Sequence, residues 1–71
     1  MLTVQKLCEH CENAVFFIAA KEDLLIPYDP EDALDREEWG DREIEFAGFY
    51  PSACGVETVE CEIVLKPRHA V

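Results

Sequence analysis

A Cys-x-x-Cys pair in a very short chain is the sequence feature that most limits how this protein can fold. Cys8 and Cys11 lie within "LCEHCENAVFFIAA" in a chain of 71 residues. Chains of this size bury only about 60% of the surface that their unfolded state exposes. We therefore expect a second stabilising device, such as a metal ion, disulfides or a partner chain.

The chain has four cysteines, which can form one metal site or two disulfides. The N-terminal "MLTVQKL" is not a charged region followed by an apolar run, and no stretch approaches the roughly 20 apolar residues of a membrane span. We therefore expect a cytoplasmic protein, whose reducing surroundings favour a metal site over disulfides. In a secreted protein three disulfide pairings would be possible, and the sequence does not choose among them.

The spacing of the cysteines favours structural zinc. Zinc takes four thiolate or imidazole ligands in a tetrahedron, and a Cys-x-x-Cys pair in a tight turn supplies two of them. Residues 3–7 and 14–20 are predicted strands, so the pair between them is predicted to be a hairpin turn. Cys54 lies in a second predicted turn, "PSACG", and Cys61 follows it. The predicted metal ligands are Cys8, Cys11, Cys54 and Cys61.

Two alternatives remain for the second half of this site. Six residues separate Cys54 from Cys61, which is wider than usual for a zinc knuckle. Cys61 also lies on the apolar face of its predicted strand, where a free cysteine serves as a small hydrophobic residue. His10 or His69 would then complete the ligand set.

A redox role for the Cys-x-x-Cys pair is the enzymatic alternative. Reactive pairs of this kind sit where a helix N-terminus lowers the thiol pKa. Here a predicted strand follows, and Glu9 and Glu12 would raise that pKa. No other catalytic constellation is evident, so the sequence predicts no catalytic residues and a protein that is not an enzyme.

Alternating apolar residues predict the remaining strands. Leu24 to Ile26 should return after a turn at 21–23. Residues 42–50 should place Ile44 and Phe46 on one face, and 56–66 should place Cys61 and Ile63 on one face. The predicted fold is a small β-rich α+β domain, an antiparallel zinc-ribbon-like sheet with one short acidic helix or loop. We expect a single metal-stapled domain over 1–66 and a frayed tail over 67–71.

An acidic stretch, "DPEDALDREEWG" at 29–40, predicts the short helix. Asp29 suits the N-cap, Pro30 the first helical position, and Gly40 the end. The apolar face is thin, so an acidic loop with a single helical turn is the alternative. Trp39 would serve either as an interaction hot spot or as the side chain that fixes the stretch onto the sheet.

The formal net charge of −10 limits the classes of molecule that we expect this protein to bind. An acidic surface repels phosphate groups, so we expect neither direct nucleic-acid binding nor binding to anionic membranes. We expect a protein partner with a basic surface. The residues predicted to bind it are Asp29, Glu31, Asp32, Asp35, Glu37, Glu38, Trp39 and Asp41.

A family resemblance adds to this interpretation. The stretch "CEHCENAVFFIAAKEDLLIPYDPE" resembles the opening of short zinc-ribbon-like open reading frames of actinobacteria and their phages. The matching residues are Cys8, Cys11, Ile26, Pro27, Asp29, Pro30 and Glu31. Tyr50 and Ser52 also match the later part of that pattern, but Ala53 stands where the family has histidine. The resemblance implies that Cys54 replaces that histidine and that Cys61 is the closing ligand.

Together these features predict a non-enzymatic, zinc-binding interaction module. Its phage-type form would be an inhibitor that mimics nucleic acid and occupies a basic protein surface. The alternatives are a thiol-disulfide oxidoreductase that uses Cys8 and Cys11, and a subunit of a larger assembly.

Overall fold

The computed structural model describes residues 1–11, 13–51 and 58–67. Its helices are α1 (Val4–His10) and α2 (Ala33–Asp35), the second continuing into a π-helical turn (Arg36–Gly40). Its strands are β1 (Ala14–Lys21), β2 (Leu24–Tyr28), β3 (Ile44–Pro51) and β4 (Val59–Leu65). The small α+β class predicted from the sequence is confirmed.

The four strands form one mixed sheet in the order β2-β1-β4-β3. β1 pairs with β2 and β4 pairs with β3, both antiparallel, whereas the central pair β1 and β4 is parallel. The expectation of a wholly antiparallel sheet is therefore wrong. A parallel pair needs a long connection between its strands, and here that connection carries β2, the acidic stretch and β3.

The first segment is helical, so the predicted strand over 3–7 is wrong. The Thr3 side chain caps α1 by accepting a hydrogen bond from the Lys6 amide at 3.4 Å. Apolar residues recur at the spacing of one helical face, at Val4, Leu7, Cys8 and Cys11. The Cys-x-x-Cys pair therefore ends a helix instead of forming a hairpin turn.

The strands β1 and β2 confirm the sequence prediction. They pair from Phe16 opposite Tyr28 to Lys21 opposite Leu24, joined by the turn at Glu22 and Asp23. Before β1, Asn13 has a φ of 59°, a left-handed conformation that asparagine tolerates better than most residues. Its carbonyl accepts a hydrogen bond from the Val59 amide at 3.2 Å, which joins the starts of β1 and β4.

The prediction for β3 is only partly right, because a β-bulge interrupts it. Ile44 lies opposite Leu65 and Phe46 opposite Val64, so Glu45 is an extra residue on β3. The bulge reverses the alternation, so Ile44 is buried in the core while Phe46 lies exposed on the opposite face. The sequence predicts a turn at 51–55. Its first residue, Pro51, is the last residue of β3, and the others fall in 52–57, outside the described residues.

The acidic stretch crosses the sheet from one edge to the other. It leaves β2 on one edge and reaches β3 on the other edge, and its π-helical turn packs against α1. Helix α2 begins later than predicted, with Asp32 and not Asp29 as its N-cap. The π-helical turn ends at the predicted Gly40.

The core lies between α1 and one face of the sheet. Its largest fully buried side chains are Val4, Ile18, Cys61 and Ile63. Cys61 lies opposite Phe16 and Ile63 opposite Ile18, so the parallel strand pair forms the centre of this core. The burial of Cys61 and Ile63 on one face confirms the predicted alternation within β4, whereas 56 and 57 of the predicted strand lie outside the described residues.

None of the helices in the described part of the chain has the length and apolar character needed to cross a membrane.

Replacing Ile63 by alanine should lower the free energy of unfolding by about 2–5 kcal/mol, because it removes a fully buried side chain and leaves a cavity. Val64→Ala is the matched control, since Val64 is on the same strand but faces solvent. Urea unfolding followed by circular dichroism measures both. Equal losses in the two variants would contradict this location of the core.

Candidate functional site

Three of the four cysteines lie in or against the same hydrophobic core, and we call them the cysteine corner: Cys8, Cys11 and Cys61. Cys8 lies in the last turn of α1, Cys11 is the C-cap of that helix, and Cys61 lies on β4. Cys8 and Cys61 are buried, Cys11 is half-buried and packs against the core, and all three are free thiols. The helix end and the central strand bring them together.

The surroundings of Cys8 favour its protonated form. Burial is the largest cause, followed by the thiol of Cys61, and together with Cys11 and Glu9 they raise the pKa of Cys8 from 9.0 to about 12. The C-terminal end of a helix also disfavours negative charge nearby. Cys8 is therefore an uncharged thiol at neutral pH when no metal is bound.

Cys61 behaves in the same way. Burial is again the main cause, and Cys11 and then Glu62 add to it, so the pKa of Cys61 rises from 9.0 to about 11. Each buried thiol is thus affected by the charge of another cysteine in the corner. Negative charge on several of these sulfurs would need a cation to compensate it.

The described residues include three free thiols that could bind a metal ion, but these thiols are not arranged around one point as metal ligands are. Across 1–11, 13–51 and 58–67, no three His, Cys, Asp or Glu side chains are arranged to hold a metal ion. Cys54 and His69, two of the candidate ligands, lie outside these ranges. His10 is exposed.

The second feature is the acidic segment, residues 29–41, whose aspartates build its local structure. The Asp32 carboxylate accepts from the Asp35 amide at 3.0 Å, and the Asp35 carboxylate accepts from the Asp29 amide at 2.9 Å. Asp29 in turn accepts from the Glu31 amide at 2.9 Å. Three of the predicted partner-binding residues therefore hold the segment in one conformation.

The other acidic side chains of this segment face solvent. They are Glu31, Glu37, Glu38 and Asp41. Trp39, by contrast, is half-buried and packs against the core, which agrees with its role in fixing the segment onto the sheet. Its ring lies 6.0 Å from the Arg42 guanidinium carbon, within reach of a cation–π contact.

Sequence reasoning missed Gln5 and Tyr28, which connect the acidic segment to the rest of the fold. The Tyr28 hydroxyl donates to the Gln5 side-chain oxygen at 2.6 Å, and the Gln5 amide donates to the Pro30 carbonyl at 3.4 Å. Gly40 approaches this pair closely, since a Cβ there would lie 3.3 Å from the Tyr28 oxygen. Recognition of α1 as a helix would have placed Gln5 at this junction.

Comparison of the chain with protein-family models, with curated proteins and with solved structures finds no match in any of the three.

The metal-free, reduced protein should lose stability as the pH rises from about 9 to about 12. Both buried thiols have a higher pKa in the folded state than in the unfolded state, so folding favours the protonated form. Their contribution is complete below pH 9 and disappears as the pH passes the folded-state pKa values. Urea unfolding at several pH values, with chelator and reductant present, measures this dependence.

Cys61→Ala is the control for this prediction, because it removes one of the two titrating thiols. Its free energy of unfolding should fall less steeply with pH over the same window, although its stability at pH 8 will be lower. Parallel curves for the variant and the original protein would show that Cys61 does not titrate as described.

Proposed function

We propose that this chain is a non-enzymatic interaction module that binds a basic protein surface through its acidic segment. The observation that carries the proposal is the exposure of Glu31, Glu37, Glu38 and Asp41 on a segment held in place by Trp39 and by aspartate hydrogen bonds. A segment that is already ordered loses little conformational entropy when it binds. Its carboxylates can therefore contribute their electrostatic attraction to a basic partner.

The sharper form of the proposal is mimicry of a nucleic acid. Several exposed carboxylates on one ordered segment offer a basic protein the same sign of charge as a phosphate backbone. The resemblance to phage reading frames and the charge both allow an inhibitor of this type, which would compete with nucleic acid for the same protein surface. Zinc-ribbon character is part of the same proposal, with Cys8, Cys11, Cys54 and Cys61 as the ligands of a structural zinc.

Thiol-disulfide exchange at Cys8 and Cys11 is less well supported. A reactive thiol needs access and a lowered pKa, whereas Cys8 is buried and its pKa is raised to about 12. A subunit of a larger assembly is the second alternative. Exposed apolar side chains on the sheet, such as Phe46, are the observation that favours it.

Charge reversal tests the role of the acidic segment. Glu37→Lys combined with Glu38→Lys should weaken binding to basic proteins at least about tenfold, or 1.4 kcal/mol, since both carboxylates face solvent. The immobilised protein is exposed to an actinobacterial lysate, and captured proteins are quantified by mass spectrometry. Capture should also decrease as salt rises and when duplex DNA is added.

The matched control is Glu22→Lys combined with Asp23→Lys, in the turn between β1 and β2. It changes the net charge by the same amount at an exposed position outside the acidic segment. Equal losses of captured protein in the two variants would show that capture depends on the net charge of the protein and not on the acidic segment. Capture that resists both salt and DNA would exclude mimicry.

Zinc binding is tested by native mass spectrometry with and without a chelator. The protein should be heavier by one zinc ion, and Cys61→Ala should lose that ion while His10→Ala, at an exposed position, keeps it. Zinc binding should release protons, because the buried thiols must ionise to become ligands. Retention of zinc by Cys61→Ala would assign Cys61 to the core, and a mass lowered by disulfide formation would exclude the metal site.

A further inference from the structure

The face of the sheet opposite α1 is uncovered in the described part of the chain, and we call it the open face. Both α1 and the π-helical turn lie on the core side. On the open face Phe46 is 59% exposed, Tyr50 46% and Val15 44%. A sheet face in contact with water normally alternates toward polar residues, so these side chains indicate a surface that a partner covers.

The strand register makes these side chains neighbours. Val64 lies opposite Phe46, and the next positions along β4 on this face are Glu62 and Glu60. Glu62 lies between Phe17 and Gly48, and Glu60 lies opposite Tyr50. Side chains directly opposite one another in neighbouring strands are about 5 Å apart. The open face is therefore an apolar surface with two carboxylates on one of its central strands.

Tyr50 adds an aromatic ring beside these carboxylates. A Cβ on Gly48 would lie 2.7 Å from the Tyr50 hydroxyl and 3.0 Å from its ring, so the ring lies back over Gly48. Gly48 is also the residue paired with Glu62. A cationic side chain placed here could contact both a carboxylate and the face of an aromatic ring.

The two carboxylates decide which partner fits. Covering Glu60 and Glu62 without a cation would bury unpaired charge, and a second copy centred on this surface would place like charges together. Among the described residues, those that lie opposite Glu60 and Glu62 in the neighbouring strands carry no positive charge. Lys21 ends β1, and Lys66, directly after β4, already pairs with Glu43 at 2.9 Å. A partner protein is therefore the source of compensating cations that this face favours.

We propose that the open face binds an amphipathic helix of a partner protein that carries two lysine or arginine residues one turn apart. Glu60 and Glu62 are two positions apart on β4, so their side chains leave the strand about 7 Å from each other. Side chains one helical turn apart have a similar separation. The apolar side of the helix would lie on Phe46, Val64 and Val15. This surface is separate from the acidic segment, so the proposal does not depend on the function proposed above.

The test uses a synthetic helical peptide of about 18 residues with leucines on one side and lysines spaced by one turn, and a second peptide with glutamate in place of lysine. The lysine peptide should bind, as measured by fluorescence anisotropy. Glu60→Gln combined with Glu62→Gln should weaken that binding at least tenfold, and Phe46→Ser should also weaken it. Both changes are at positions outside the core, so the fold should persist.

Glu22→Gln combined with Asp23→Asn is the matched control, since it removes the same two negative charges at exposed positions in the turn between β1 and β2. It should leave peptide binding unchanged, because neither residue belongs to the open face or to the acidic segment. No preference for the lysine peptide, or an equal loss in the control, would overturn the proposal. A dimer detected by sedimentation and disrupted by Phe46→Ser would also overturn the proposal, because a second copy would then cover the open face. Binding to neutral lipid vesicles would overturn it as well, because lipid would then cover that face.

Discussion

The parallel pairing of β1 with β4 determines the arrangement of everything else in this small protein. It places Phe16 against Cys61 and Ile18 against Ile63, which form the centre of the core. It also requires a long connection between the two strands. The chain uses that connection to build both edges of the sheet and to carry the acidic segment across the core side. With α1 on the same side, the described layers leave the opposite face of the sheet open.

The same arrangement gives the cysteines their chemical character. Cys8 and Cys11 end a helix, and Cys61 lies on the central strand that the end of this helix approaches. Burial suppresses the ionisation of Cys8 and Cys61, and neighbouring sulfurs suppress it further. Such a corner is suited to inert thiols or to thiolates neutralised by a metal ion. It is poorly suited to a nucleophile that must ionise in solvent.

Much of the sheet could be predicted from the sequence, because the short apolar runs of β1 and β2 and the alternation of β4 are typical of strands. The direction of the central pair could not be predicted, since it depends on how the chain crosses the sheet. The helix α1 was missed although Val4, Leu7, Cys8 and Cys11 have helical spacing, because the Cys-x-x-Cys pair was interpreted as a hairpin turn. The bulge at Glu45 has no sequence signature, and it puts Ile44 and Phe46 on opposite faces although the alternation predicted that they share one. The acidic stretch contains a short helix as predicted, but the hydrogen bonds by which Asp32 and Asp35 hold it could be recognised only in the structure.

The acidic segment is also a mechanical connection, since it joins β2 on one edge of the sheet to β3 on the other. Gln5 and Gly40 fix it to α1 and Tyr28 along the way. Detachment of the segment would break the Gln5–Pro30 hydrogen bond and uncover Tyr28 and Trp39, so opening of the segment weakens its connection to α1 and β2. A ligand that holds the segment therefore raises the melting temperature of the whole domain by mass action. A partner bound as proposed above would therefore stabilise the fold, and the fold would in turn hold the segment in the conformation that binds.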